Sequence, residues 1–137
     1  MAYGTLLTDA VQSSTANTPP QFNDGNGTQV GTLCRAWVNF NGVTTATIRA
    51  SFNVSSVTRN GTGDYTVNFT NAMPDANYIF VAPSLGSASG AYNWGAMDVD
   101  GSGNLIGKTT SGHRINVRNS STNGSQDPTN AYLAYFR

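Results

Sequence analysis

Apolar residues recur at every second position through several stretches of the chain. Ile48, Ala50, Phe52 and Val54 form one such run, and Tyr65, Val67 and Phe69 form another. Strict alternation means half-buried β-strands. The break Asn60-Gly61-Thr62-Gly63 between the two runs predicts a hairpin, with one apolar face buried and a Thr/Asn/Ser face in water. Upstream, Leu33–Phe40 places Ala36, Val38 and Phe40 on one face and Arg35, Trp37 and Asn39 on the other. Both faces carry a large apolar residue, so this strand is expected to lie between two packed surfaces. Asn41-Gly42 predicts a type I′ turn into a second strand over Thr44–Val54, and the Ser55-Ser56 pair shifts the phase as a bulge does. Further strands are expected over Tyr78–Ala82, Tyr92–Val99, Asn104–Thr109, His113–Arg118 and Ala131–Phe136. About eight strands joined by mostly short loops predict an all-β, antiparallel β-sandwich over residues 32–137.

Residues 1–31 have no sustained period. Pro19-Pro20 favours an extended path and Asp24-Gly25-Asn26-Gly27 a turn. The segment reads as an N-terminal arm that links the domain to an upstream partner or wraps a neighbouring subunit, with Phe22 as a candidate contact. Two long polar stretches, Leu85–Tyr92 and Asn119–Asn130, are expected to be loops held out by the sheets.

Composition changes this picture in one direction. Only 10% of the 137 residues are charged, seven basic and seven acidic residues cancel, and every acidic residue is Asp. A neutral chain argues against binding to a nucleic-acid backbone. No apolar run is long enough to span a membrane, and the first residues do not read as a secretory signal. Cys34 is a single cysteine, read as a small hydrophobe. His113, the only histidine, shares a strand side with Ile115 and Val117 and is expected in the core or at an interface. The run Asp98-x-Asp100-Gly-Ser-Gly-Asn104 lacks the spacing of a calcium loop, and soft ligands for zinc are too few. No Ser-His-Asp arrangement can be assembled, and the Asp residues mostly sit in turns. The expectation is therefore a non-catalytic module without metal or cofactor.

For binding, exposed aromatics and amides match the polar and apolar faces of sugars. The candidates are Tyr92, Asn93, Trp94, Arg114, Arg118, Asn119, Asn123, Gln126 and Asp127. Tyr92 and Trp94 read equally well as core residues on one strand face. Arg114 and Arg118 read equally well as ion-pair partners of Asp98, Asp100 or a neighbour's Asp127.

The strings Cys34–Gly42 (CRAWVNFNG), Ile48–Val54 (IRASFNV), Asn60–Phe69 (NGTGDYTVNF) and Ala72–Tyr78 (AMPDANY) resemble the C-terminal domain of tailed-bacteriophage and prophage tail fibre proteins. The resemblance runs from about residue 12 to residue 82 and fades past Leu85. It implies a homotrimer attached to an upstream fibre or other tail protein and placed on the virion. Its distal surface would contact the bacterial cell surface; the neutral Asn/Ser/Thr loops of this sequence, rather than the resemblance, point to a polysaccharide or lipopolysaccharide as receptor. Trp37 is the candidate subunit contact. A domain that only trimerises or assembles the fibre, and an enzyme acting on surface polysaccharide, remain as rival readings.

Overall fold

The computed structural model describes residues 4, 7–14, 20–83, 86–87, 93–98, 104 and 107–137, with residues 87 and 93–97 described through their backbone alone. The chain divides into two units, Met1–Leu33 and Cys34–Arg137. In the first, β1 (Phe22–Asn23) and β2 (Gln29–Gly31) pair antiparallel. Asp24 nucleates the turn: its Oδ1 accepts from the Asn26 and Thr28 amides, both at 2.9 Å. The turn expected at Asp24–Gly27 is present, and it joins two short strands into a hairpin within the arm, because a short Asp side chain mimics the backbone of a turn.

In the second unit the strands are β3 (Cys34–Asn41), β4 (Thr47–Phe52), β5 (Val54–Gly61), β6 (Asp64–Phe69), β7 (Ile79–Val81), β8 (Gly86–Ser87), β9 (Asn93–Met97), β10 (Gly112–Asn119) and β11 (Pro128–Phe136). They form two antiparallel sheets. One has the order β5-β6-β10-β9 and the other β4-β3-β11-β7, with β8 pairing onto the start of β11. Among the described residues the protein is all-β, and no helix is long and apolar enough to cross a membrane.

The inward residues of both sheets meet in one core. Ala36, Val38 and Phe40 of β3 and Leu133 and Tyr135 of β11 pack with Tyr65 and Val67 of β6 and Ile115 and Val117 of β10. Edge-to-face rings join the sheets: Phe40 with Tyr65 at 5.3 Å and Phe69 with Tyr135 at 5.0 Å between centroids. Such pairs add roughly 0.5–1.5 kcal/mol beyond the area they bury.

Several expectations are corrected here. The second strand does not run from Thr44 to Val54. A bulge between Asn39 and Phe40 in the β3–β4 pairing leaves Ile48 facing the core but turns Ala50 and Phe52 outward. Asn53 then takes a left-handed conformation (φ 54°), and Val54 starts a strand of the other sheet. Its side chain secures the corner: Nδ2 donates to the Arg35 and Asn71 carbonyls at 3.0 and 3.1 Å, and Oδ1 accepts from the Asn71 amide at 2.7 Å. After Asn41 the chain makes no two-residue turn; a longer link with Thr44 at φ 60° leads into β4. The expected bulge at Ser55-Ser56 is present in the β5–β6 pairing. The strand expected over Asn104–Thr109 is not formed among the described residues, where Lys108 makes only an isolated bridge to His113.

Candidate functional site

The stretch expected to be a free polar loop is a knot of internal hydrogen bonds. Asn119 closes it: its Oδ1 accepts from the Ser121 and Thr122 amides at 2.7 and 3.2 Å, and its Nδ2 donates to Gln126 Oε1 at 2.7 Å. The Asn119 amide donates to the Gly124 carbonyl at 2.9 Å, and Asn123 bends back at φ 56°. Beneath this loop lies the polar side of β10. Arg118 is 8% exposed; its Nε donates to Asn116 Oδ1 at 3.1 Å and its Nη1 to Asn123 Oδ1 at 3.2 Å. Asn116 in turn donates to Ser125 Oγ at 3.2 Å.

Asp127 anchors the far end. Arg59 donates to it through Nε and Nη2, the latter at 2.7 Å, and the Gly63 amide donates to Oδ1 at 2.8 Å. The buried Tyr65 hydroxyl reaches both this carboxylate and the Gly42 carbonyl at 2.9 Å. It has one proton to give, and the charged acceptor takes it. Burial raises the Asp127 pKa, but the hydrogen bonds from Arg59, Tyr65 and Gly63 outweigh it and hold the carboxyl below its ordinary value. Arg114 clamps Asp64 with two hydrogen bonds of 2.9 and 2.6 Å, which lowers the Asp64 pKa.

Six of the candidate receptor residues are thereby brought together: Arg114, Arg118, Asn119, Asn123, Gln126 and Asp127. Arg118, Asn119, Gln126 and Asp127, however, serve to build the loop rather than to project from it. What the loop presents to solvent is neutral and polar, Ser120 to Ser125. Asn93 and Trp94 lie in β9, and Tyr92 and most of the Leu85–Tyr92 loop fall outside the described residues. Asp100 does as well. Asp98 is paired with His113 and with Lys108, the latter at 3.1 Å. Among the described residues no group of three or more His, Cys or Asp side chains is placed to hold a metal ion.

A second surface lies on the outer face of the β4-β3-β11-β7 sheet. Pairing places Phe52, Trp37, Ala134 and Val81 in one row across four strands. Ile79 and Tyr132 flank the row on the same face. Exposure of the large members is 40% for Trp37, 54% for Phe52, 63% for Ile79, 50% for Val81 and 44% for Tyr132. An open concavity of about 330 Å³ runs between Trp37, Asn39, Pro83 and Tyr132. Trp37 marks this face in the sequence. The rest is not marked in the sequence, because which side of Ile79–Val81 and Ala131–Phe136 faces the core depends on long-range pairing, although Tyr132 is as two-sided a signal as Trp37. Phe22, the other candidate contact, is half-exposed on the β1–β2 hairpin.

No family model matches this chain, and neither a curated protein nor a solved structure matches it.

Proposed function

We propose that this chain is the distal domain of a phage tail fibre, a two-layer β-sandwich that assembles as a homotrimer and attaches the virion to a bacterial surface glycan without catalysis. The observation that carries the reading is the outer sheet face. Five large apolar side chains share one face there, where a solvated antiparallel sheet carries polar residues. A closed homo-oligomer covers such a face. The tail-fibre resemblance of Cys34–Gly42 and Asn60–Phe69 gives the number of subunits and the setting. In this reading the Ser120–Ser125 tip meets the receptor, because a rim of hydroxyls and amides without net charge suits neutral sugars. Three weak sites on one fibre then act together through effective concentration.

Two measurements test it. Light scattering after chromatography should give about three times the 14.4 kDa chain mass. Trp37→Ser combined with Phe52→Ser should bring the particle down to one chain, since neither side chain contributes to the core. A native particle of 14.4 kDa at low micromolar concentration would overturn the assembly. Separately, replacing Ser121 and Thr122 by alanine should leave the particle mass unchanged and the melting temperature within a few degrees of the native protein while abolishing adsorption to host cells. Residues 119, 125, 126 and 127 must stay, because they hold the loop.

The alternative is a fibre-assembly domain that makes no receptor contact. It is favoured by the internal commitment of Arg114, Arg118 and Asp127, the charged groups of the candidate surface. Full adsorption by the tip variant would support it.

A further inference from the structure

We propose that the contact between Asp98 and His113 is an acid-labile latch that holds the end of β9 against β10. The His113 side chain is fully buried, and the rings of Phe80, Tyr135 and Tyr78 stand 4.6, 5.7 and 6.0 Å from its centroid. Its Nε2 faces the carboxylate of Asp98, one residue beyond β9. The neutral ring satisfies this contact by donating from Nε2.

Protonation meets three obstacles on the page. It places a charge inside an aromatic cage. It puts a second N–H on Nδ1, which has no hydrogen-bond partner among the described residues. And it brings a second cation to a carboxylate already paired with Lys108 at 3.1 Å. Lys108 is itself fixed nearby, with Nζ 3.4 Å from the Tyr78 carbonyl and 5.8 Å from the Tyr78 ring centre. Among the described residues the other titratable groups facing the imidazole are the Tyr78 and Tyr135 hydroxyls. Burial raises both pKa values, so both remain neutral throughout the range in which histidine titrates. Among the described residues only Asp98 favours the charged ring. Burial lowers the His113 pKa more than the Asp98 hydrogen bond and charge restore it.

The sign follows directly. A histidine whose pKa is lower in the closed state than in the open one binds its proton more readily once open. The latch is therefore fully closed above the ordinary histidine value of 6.5 and weakens as pH falls below it, levelling off beneath the lowered value. It lies within one chain and holds whether or not the chain assembles.

Amide exchange read as protection factors tests this on the native protein. Between about pH 7.5 and about pH 5, protection in β9 should fall about tenfold for each unit by which the His113 pKa is lowered. Protection of the β3–β11 pair around Val38 and Leu133 should fall less. In His113→Gln, which keeps a donor but does not titrate, the acid-dependent loss in β9 should vanish. The same loss in the Gln variant would overturn the latch. Should that variant fail to fold, the imidazole resonance of the native protein decides alone. Titration below the free histidine value supports the latch, and titration at or above it rejects it.

Discussion

Gly63→Ala is expected to cost the fold about 3 kcal/mol or more, several times what Gly61→Ala costs two residues earlier. Gly63 sits at φ +68°, where an L side chain is strained by roughly 1–3 kcal/mol. A Cβ there would stand 2.5 Å from the Val117 carbonyl oxygen and 2.6 Å from the Gln126 amide nitrogen. Both are backbone atoms fixed by their own hydrogen bonds. Val117 donates to the Gly63 carbonyl at 2.7 Å, and Gln126 donates to the Val117 carbonyl at 3.0 Å. The three segments cannot separate without losing those bonds, so crowding adds to the strain. At Gly61 nothing lies within 4 Å and φ is not positive. Urea titration of the two variants should show a large fall in midpoint for Gly63→Ala and a small one for Gly61→Ala. Equal losses would mean that the close approach at Gly63 relaxes freely.

Asp127→Ala is expected to destabilise by about 2–3 kcal/mol, a sum of lost charge-assisted hydrogen bonds rather than of ion pairing. The Gly63 amide and the buried Tyr65 hydroxyl both lose a charged acceptor. Tyr65 retains the Gly42 carbonyl, which limits the loss. The Arg59 guanidinium is partly exposed, so solvent screens its pairing and it adds little. Acid titration provides a second readout. The Asp127 pKa is lowered in the folded protein from 3.8, so its contribution is complete above that value and disappears as pH falls through the lowered one. The native protein should lose stability in that window, and the difference between native protein and Asp127→Ala should shrink there. A constant difference across the window would place the stabilising contact elsewhere.

Strands with one buried face were legible. The alternations Ala36-Val38-Phe40, Tyr65-Val67-Phe69 and His113-Ile115-Val117 all reached the core, because period 2 is a local property of an extended chain. Which sheet a strand joins is not local. Ile48 to Val54 keeps an unbroken alternation in sequence, yet a bulge opposite β3 and a left-handed Asn53 divide it among the core, an outer face and a second sheet. Nothing in the spacing distinguishes Phe52 from Val54. At the candidate site the sequence shows a polar loop but not the internal contacts that hold it. Asp127 stands in a run of Asn, Ser, Thr and Gln that reads as solvated loop, and its partners Arg59, Gly63 and Tyr65 lie more than sixty residues away in sequence. The Arg118–Asn123 contact is shorter in range, but it depends on the left-handed turn at Asn123, which sequence only permits.

β11 lies between β3 and β7, with Tyr135 opposite Ala36 and Ala131 opposite Phe40, each pair roughly a hundred residues apart along the chain. During synthesis β3 is therefore made well before β11 and waits, with one edge and its core face unpaired, until all of β4 to β10 has been produced. Local hairpins such as β5–β6 can form in the meantime, but the sheet that carries Trp37 cannot close. Folding should accordingly show a slow phase, on the millisecond-to-second scale of long-range β pairing, that is absent from the β5–β6 hairpin alone. The open edge of β3 is where a nascent or truncated chain would meet another copy of itself.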